Sequence, residues 1–151
     1  MDEAQLGFQP MRVDRGDSAT VVVGSLGELV RVDGMGAPMH QPVTPFPASV
    51  TEGAVLDGIW VGTWVEHEMQ QARMAALPID KEWEDGSSRD YLRTAINSLN
   101  GSEVVPSNSL WHRVLDSEPM KIGKSGENIV FATVSGIYMI CLLYTSDAAD
   151  E

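Results

Sequence analysis

The chain has 151 residues, with 22 acidic and 10 basic side chains and a formal net charge of −12. This acidity argues against a nucleic-acid-binding surface, because the neutralisation of phosphates requires clustered Lys and Arg. No apolar run approaches the ~18–20 residues needed to cross a bilayer. Residues 1–5 are acidic where a secretion signal is basic and then apolar. The sequence therefore predicts a cytoplasmic protein, with an upstream start left open.

Three stretches repeat one pattern, in which an apolar run rich in β-branched residues is followed by a small residue, a turn and a second apolar run. They span residues 21–33, 59–80 and 129–140. Strand-rich repeats of roughly 35–40 residues are typical of propeller blades. The repetition therefore predicts a fold built of antiparallel β-sheets.

Turn residues place the predicted hairpins along the chain. A Leu-Gly turn at 26–27 separates the two apolar runs of the first hairpin, and an Asp-Gly turn at 57–58 precedes the strongest predicted strand, 59–64. The segment 38–47 holds four of the eight prolines. Because proline removes a donor from the ladder, this segment is predicted to be an irregular connection or an outer edge strand.

One segment departs from the β pattern. Leu92, Ala95, Ile96 and Leu99 fall at helical spacing after a capping-box-like start at Ser88 and Asp90, and Asn100-Gly101 ends the run. We predict a helix over residues 88–99, inserted between the sheets.

The run from Leu110 to Ile140 resembles a blade of the pyrroloquinoline-quinone-type propeller repeat and is similar to WD40-like repeats. The resemblance is carried by Trp111 opening an outer strand, Pro119 before the next inner strand, the small pair Ala132-Thr133, and Gly136 at the hairpin. The resemblance implies a partial β-propeller of two to three blades over residues 1–140. Together with the predicted helix, which departs from the repeat pattern, the predicted fold class is all-β with one inserted helix. Four blades of ~40 residues would need about 160 residues.

The last predicted hairpin, 129–140, would be an exposed edge. Its unpaired backbone is expected to pair with missing blades or with another chain.

Residues 141–151 are interpreted separately. They resemble the translation of a transposase-type sequencing adapter, which predicts a non-native tail. Without the tail the chain loses its only cysteine, Cys141, and three acidic residues, which brings the net charge from −12 to −9. On this interpretation residues 1–140 are a fragment of a longer product, and disulfides play no part.

Two short motifs fall short of known catalytic patterns. Residues 123–125 (Gly-Lys-Ser) are similar to the end of a phosphate-binding loop, but the glycine required five positions before Gly123 is Glu118. Residues 66–68 (Glu-His-Glu) begin like a zinc-protease helix, but position 71 holds Gln71 instead of the second histidine. We therefore predict no catalytic residue, no cofactor and no metal ligand.

A candidate binding surface comprises Trp60, Trp64, Glu66, His67 and Glu68. The two tryptophans lie four residues apart on one predicted strand and so share a face. Packing between blades is the favoured interpretation of these aromatics, and a binding surface at one mouth of the propeller is the alternative.

The function favoured by the sequence is a non-catalytic β-propeller scaffold or binding module with an unidentified protein partner, because a propeller hosts unrelated functions. Partners would dock on an acidic face formed by Glu66, Glu68, Glu82, Glu84 and Asp85. The alternative is a fragment of a quinone-dependent dehydrogenase or another propeller enzyme whose active site lies outside this chain. A periplasmic-type propeller for outer-membrane assembly is a third possibility. Enzymatic activity thus stays open and is less favoured than binding.

Overall fold

A computed structural model describes residues 6–17, 19–46, 48–66, 71–83 and 109–141. The described residues form ten β-strands and no helix. In chain order the strands are β1 (Pro10–Arg15), β2 (Thr20–Gly24), β3 (Leu29–Val32), β4 (Glu52–Leu56), β5 (Ile59–Glu66), β6 (Gln71–Pro78), β7 (Trp111–Leu115), β8 (Lys121–Ser125), β9 (Asn128–Thr133) and β10 (Gly136–Cys141).

The strands form three antiparallel sheets, each a meander of consecutive strands. Sheet 1 has the order β1-β2-β3, sheet 2 the order β4-β5-β6-β7, and sheet 3 the order β8-β9-β10. The all-β prediction is therefore confirmed at the level of antiparallel sheets. The outer strand predicted to open at Trp111 is β7, the last strand of sheet 2, and the inner strand predicted after Pro119 is β8, the first strand of sheet 3.

The predicted hairpin turns occur where their residues favour them. Asp57 and Gly58 join β4 to β5 with positive φ angles of 42° and 84°. Positive φ at both central residues matches the right-handed twist of the flanking strands, and Asp-Gly tolerates it well. Gly27, with φ of 94°, serves the turn between β2 and β3.

The proline-rich segment follows the outer edge of sheet 1. Isolated antiparallel bridges join Val32 to Pro38 and Leu29 to Val43, and the Leu29 N–H donates to the Val43 carbonyl at 2.8 Å. Of the two predicted roles for 38–47, the outer-edge one fits these contacts. The segment acts as an irregular fourth strand that covers β3.

Sheet 2 lies between two apolar cores because its strands are apolar on both faces. Along β5, Trp60 and Trp64 point to one side and Val61 to the other. Core cluster 1 joins sheets 1 and 2 and consists of Val21, Val23, Leu29, Val43, Phe46, Ala48, Val50, Val55, Trp60, Trp64, Ala75, Leu77 and Trp83. Core cluster 2 joins sheets 2 and 3 and consists of Leu56, Val61, Met74, Ala76, Trp111, Ile129 and Phe131.

Two predictions concern residues beyond this description. The helix predicted over 88–99 lies outside the described residues and is not borne out by the structure. The predicted tail begins at Cys141, which ends β10, and residues 142–151 lie outside the described part. In the described ranges no helix is long and apolar enough to cross a membrane.

Candidate functional site

The first strands of the three sheets lie side by side, with β1 against β4 and β4 against β8. Between them is a cleft of about 620 Å³. This volume falls within the roughly 300–1,000 Å³ usual for ligand pockets. The cleft is lined by Val13, Asp14, Arg15, Gly16, Asp17, Gly53, Ala54, Val55, Leu56, Asp57, Ile122, Gly123 and Lys124.

Two glycines permit the close approach of β1 and β4. A Cβ atom on Gly16 would lie 2.7 Å from the Val55 carbonyl oxygen, and one on Gly53 would lie 2.5 Å from Asp14 Oδ2. Both separations are too short for a side chain. The sequence thus sets how closely the cleft walls meet.

Asp14 anchors β1 to sheet 2 beneath the cleft. Its buried carboxylate accepts hydrogen bonds from Arg12 Nε at 2.7 Å, from Arg12 Nη2 at 3.1 Å and from Trp60 Nε1 at 2.8 Å. The guanidinium balances the charge, and the indole joins β1 to β5. A buried carboxylate with these partners is a fixed structural group.

The rim of the cleft carries charges of both signs. Lys124 Nζ donates to Asp57 Oδ1 at 2.7 Å, linking sheet 3 to the β4–β5 turn. The hydrogen bond to Asp57, with the nearby charges of Asp57, Asp17 and Glu127, raises the pKa of Lys124 above its ordinary value. Lys124 is therefore a cation at neutral pH and is not activated as a neutral nucleophile.

The cleft also offers backbone groups. β1, β4 and β8 are each the first, edge strand of a sheet, so one side of each strand carries N–H and C=O groups that the sheet ladder does not use. Together with the charges of Arg15, Asp17, Asp57 and Lys124, these groups make the cleft polar at its rim and able to form directional hydrogen bonds.

Trp60 and Trp64, predicted as possible binding residues, are fully buried in core cluster 1. Phe46 stacks on both rings, with centroids 6.0 Å from Trp60 and 4.3 Å from Trp64. Neither indole presents a face to a partner, because each is covered by apolar neighbours. Both rings pack in the core between sheets 1 and 2.

The other three residues of the predicted binding surface have side chains outside the described part of the chain. The Glu66 side chain and residues His67 and Glu68 lie outside the described part, as do Glu84 and Asp85. Glu82 is described and exposed, and its charge acts on Arg31. Of the five residues of the predicted surface, the structure describes the side chains of Trp60 and Trp64 alone.

The cleft was missed from the sequence because its residues come from three distant strands, none with a recognised motif. The single sequence signal was the Gly-Lys-Ser motif at 123–125, which supplies Gly123 and Lys124 to the cleft. The turn at 126–127 and the strand β9 follow it, so the helix of a phosphate-binding loop is not there.

A second polar cluster lies on the neighbouring strands β6 and β7 of sheet 2. His112 Nε2 is 3.2 Å from Arg73 Nη1, and its ring is 5.8 Å from that of Trp64. Burial, followed by the charges of Arg73 and Arg113, lowers the pKa of His112 to about 4. His112 is therefore neutral at physiological pH.

Among the described residues no group of three or more His, Cys, Asp or Glu could hold a metal ion.

Comparison with known proteins gives little resemblance. No family model and no curated protein matches the chain. Among solved structures it is similar to the computationally designed Ika4 protein, at 12% sequence identity and a TM-score of 0.48. The match covers 87% of this chain and 65% of that one.

Proposed function

We propose that the chain is part of a β-propeller and serves as a non-catalytic binding module, with its ligand in the cleft between β1, β4 and β8. Three features support the propeller interpretation: successive meander sheets, a middle sheet buried on both faces, and first strands that lie side by side. The first strands of propeller blades line a central channel. The cleft at these strands is the observation that carries the proposal.

The ligand class follows from the chemistry of the cleft. Arg15 and Lys124 supply positive charge, Asp17 and Asp57 supply negative charge, and three edge strands supply backbone donors and acceptors. Extended peptides bind sheet edges through main-chain hydrogen bonds. We therefore propose a short peptide that carries both an amino and a carboxylate group.

A reversed charge at the cleft tests this proposal. Lys124 lines the cleft and its side chain is partly exposed, so Lys124→Glu removes the positive charge offered to the peptide carboxylate without emptying either core. Lys121 lies on the same strand, is also exposed and does not line the cleft, so Lys121→Glu is the matched control.

The probe is a mixture of unmodified tripeptides, observed by saturation-transfer NMR against each protein. We expect saturation transfer to some tripeptides from the unmodified chain and from Lys121→Glu, and its loss with Lys124→Glu. No transfer to any tripeptide from the unmodified chain, or a signal that survives in Lys124→Glu, would contradict the proposal.

A further inference from the structure

The edge strands of the three sheets differ in how they are protected. Native proteins protect exposed edges with charged residues, proline or covering segments. β1, β3, β4, β7 and β8 each carry at least one Arg, Lys or Glu, and β3 is also covered by the proline-rich segment. β10, with the sequence Gly-Ile-Tyr-Met-Ile-Cys, carries no charge and no proline. No described residue pairs with its outer side.

The hairpin register shows which backbone groups of β10 are free. Val134 and Ser135 form a two-residue turn closed by Thr133 and Gly136. In such a hairpin the closing residues exchange hydrogen bonds, and every second residue after them does the same. The N–H and C=O groups of Ile137 and Met139 therefore point away from β9.

The side chains of the same two residues are exposed. Ile137 is 78% and Met139 is 62% exposed, on the face of sheet 3 opposite core cluster 2. Tyr138, between them, stacks on Phe131 with centroids 5.4 Å apart. Two exposed apolar residues thus flank Tyr138 symmetrically along a free edge.

We propose that β10 is a dimerisation strand, which pairs antiparallel with β10 of a second copy about a two-fold axis at Tyr138. This register places Ile137 opposite Met139 of the second copy on both sides of the axis, and all four residues have free backbone groups. Each such pair exchanges two hydrogen bonds and brings two apolar side chains together.

The arrangement of β10 favours a second copy as the occupant, because Ile137 and Met139 flank Tyr138 evenly and so meet each other on both sides of a two-fold axis. Two chains of net charge −12 repel each other over most of their surfaces. An uncharged strand is the edge on which identical copies meet without placing like charges opposite each other. β10 lies at the edge of sheet 3 opposite β8, so this interface does not overlap the proposed ligand cleft.

Sedimentation equilibrium of the full chain tests the pairing. We expect a concentration-dependent dimer whose dissociation constant rises at least about tenfold in Met139→Lys, because the charge falls opposite an apolar residue. Met120→Lys is the matched control, since Met120 is 61% exposed but lies outside β10. A monomer at every concentration, an open-ended polymer, or equal weakening by both variants would overturn the proposal.

A cross-link tests the register. On the two-fold axis the two copies of residue 138 form a non-hydrogen-bonded pair with Cα atoms about 4.5 Å apart, a separation that a disulfide can bridge. In a Cys141→Ser background, Tyr138→Cys should give a covalent dimer under mild oxidation, whereas Ser125→Cys on β8 should not. Circular dichroism checks that each variant is folded. A folded Tyr138→Cys variant that stays uncross-linked would overturn this register.

Discussion

Asp14 connects two sheets through a single buried carboxylate. It accepts hydrogen bonds from Arg12, its neighbour on β1, and from Trp60 on β5, so the position of β1 over sheet 2 depends on it. No sequence pattern predicted this role, because Asp14 and Trp60 are 46 positions apart. A charged residue in a short strand gives no sign of a distant indole partner.

Replacement of Asp14 should therefore destabilise the fold. Asp14→Ala leaves the indole N–H of Trp60 and the Nε and Nη2 donors of Arg12 without their acceptor, and we expect a loss of about 2–4 kcal/mol in the free energy of unfolding. Urea denaturation measures this change. Asp14→Asn, whose amide oxygen still accepts from Trp60, should cost less. A change under about 0.5 kcal/mol for Asp14→Ala would contradict the anchoring role.

His112 should make stability depend on pH. Burial, with Arg73 and Arg113, lowers its pKa from 6.5 to about 4, so between these values the unfolded chain binds a proton that the folded chain does not. Stability is therefore full above about pH 6.5 and falls as the pH decreases towards 4, by up to about 3 kcal/mol.

The measurement is thermal unfolding of the unmodified chain and of His112→Gln across this pH range. In His112→Gln, most of the loss of stability between about pH 6.5 and pH 4 should be absent. His40→Gln is the control, because burial also lowers the pKa of His40 but less of that ring is covered. An unchanged pH profile in His112→Gln would contradict the assignment.

At the scale of elements, the sequence predicted hairpins better than it predicted their partners. Asp57-Gly58 predicts a tight turn because both residues tolerate positive φ, and the apolar runs on either side predict the strands that it joins. The pairing of β7 with β6 could not be predicted from the sequence. β7 returns to β6 after the longest connection between described strands, and pairing over such a distance leaves no local pattern.

The Asp-Gly turn offers a direct test of its backbone requirement. Gly58 has φ of 84°, and a Cβ atom there would meet no other atom within 4 Å, so Gly58→Ala adds backbone strain without a clash. We expect a loss of about 1–2 kcal/mol in the free energy of unfolding by urea denaturation. Gly34→Ala, in a turn without positive φ, should be nearly neutral. Equal effects of the two substitutions would contradict the turn argument.

At the scale of the whole molecule, sheet 2 links the two cores. Its apolar pattern on both faces could be read from the sequence, since β6 is a nearly unbroken apolar run, and a sheet covered on both sides shows such runs. The cleft could not be read in this way. Its walls come from β1, β4 and β8, and only the packing of sheets brings these strands together.

Because both cores share sheet 2, we expect the described fold to unfold in one cooperative step. Leu29→Ala in core cluster 1 should cost about 2–5 kcal/mol, and Ile129→Val in core cluster 2 about 0.5–1.5 kcal/mol. Both should lower the midpoint of the same urea transition. The double variant should equal the sum within about 0.5 kcal/mol. Two separate transitions by fluorescence and circular dichroism would contradict a shared central sheet.

The meander order of the sheets has a consequence for biosynthesis. Within each hairpin the paired strands are sequence neighbours, so their contacts are local and form early at low loop-closure cost. During translation sheet 1 can be completed before sheet 2 has left the ribosome, and sheet 3 follows last. The exception is β7, which must wait for the connection after β6 before it can join its sheet. Until then the outer side of β6, an apolar strand, stays open to chaperones or to wrong partners.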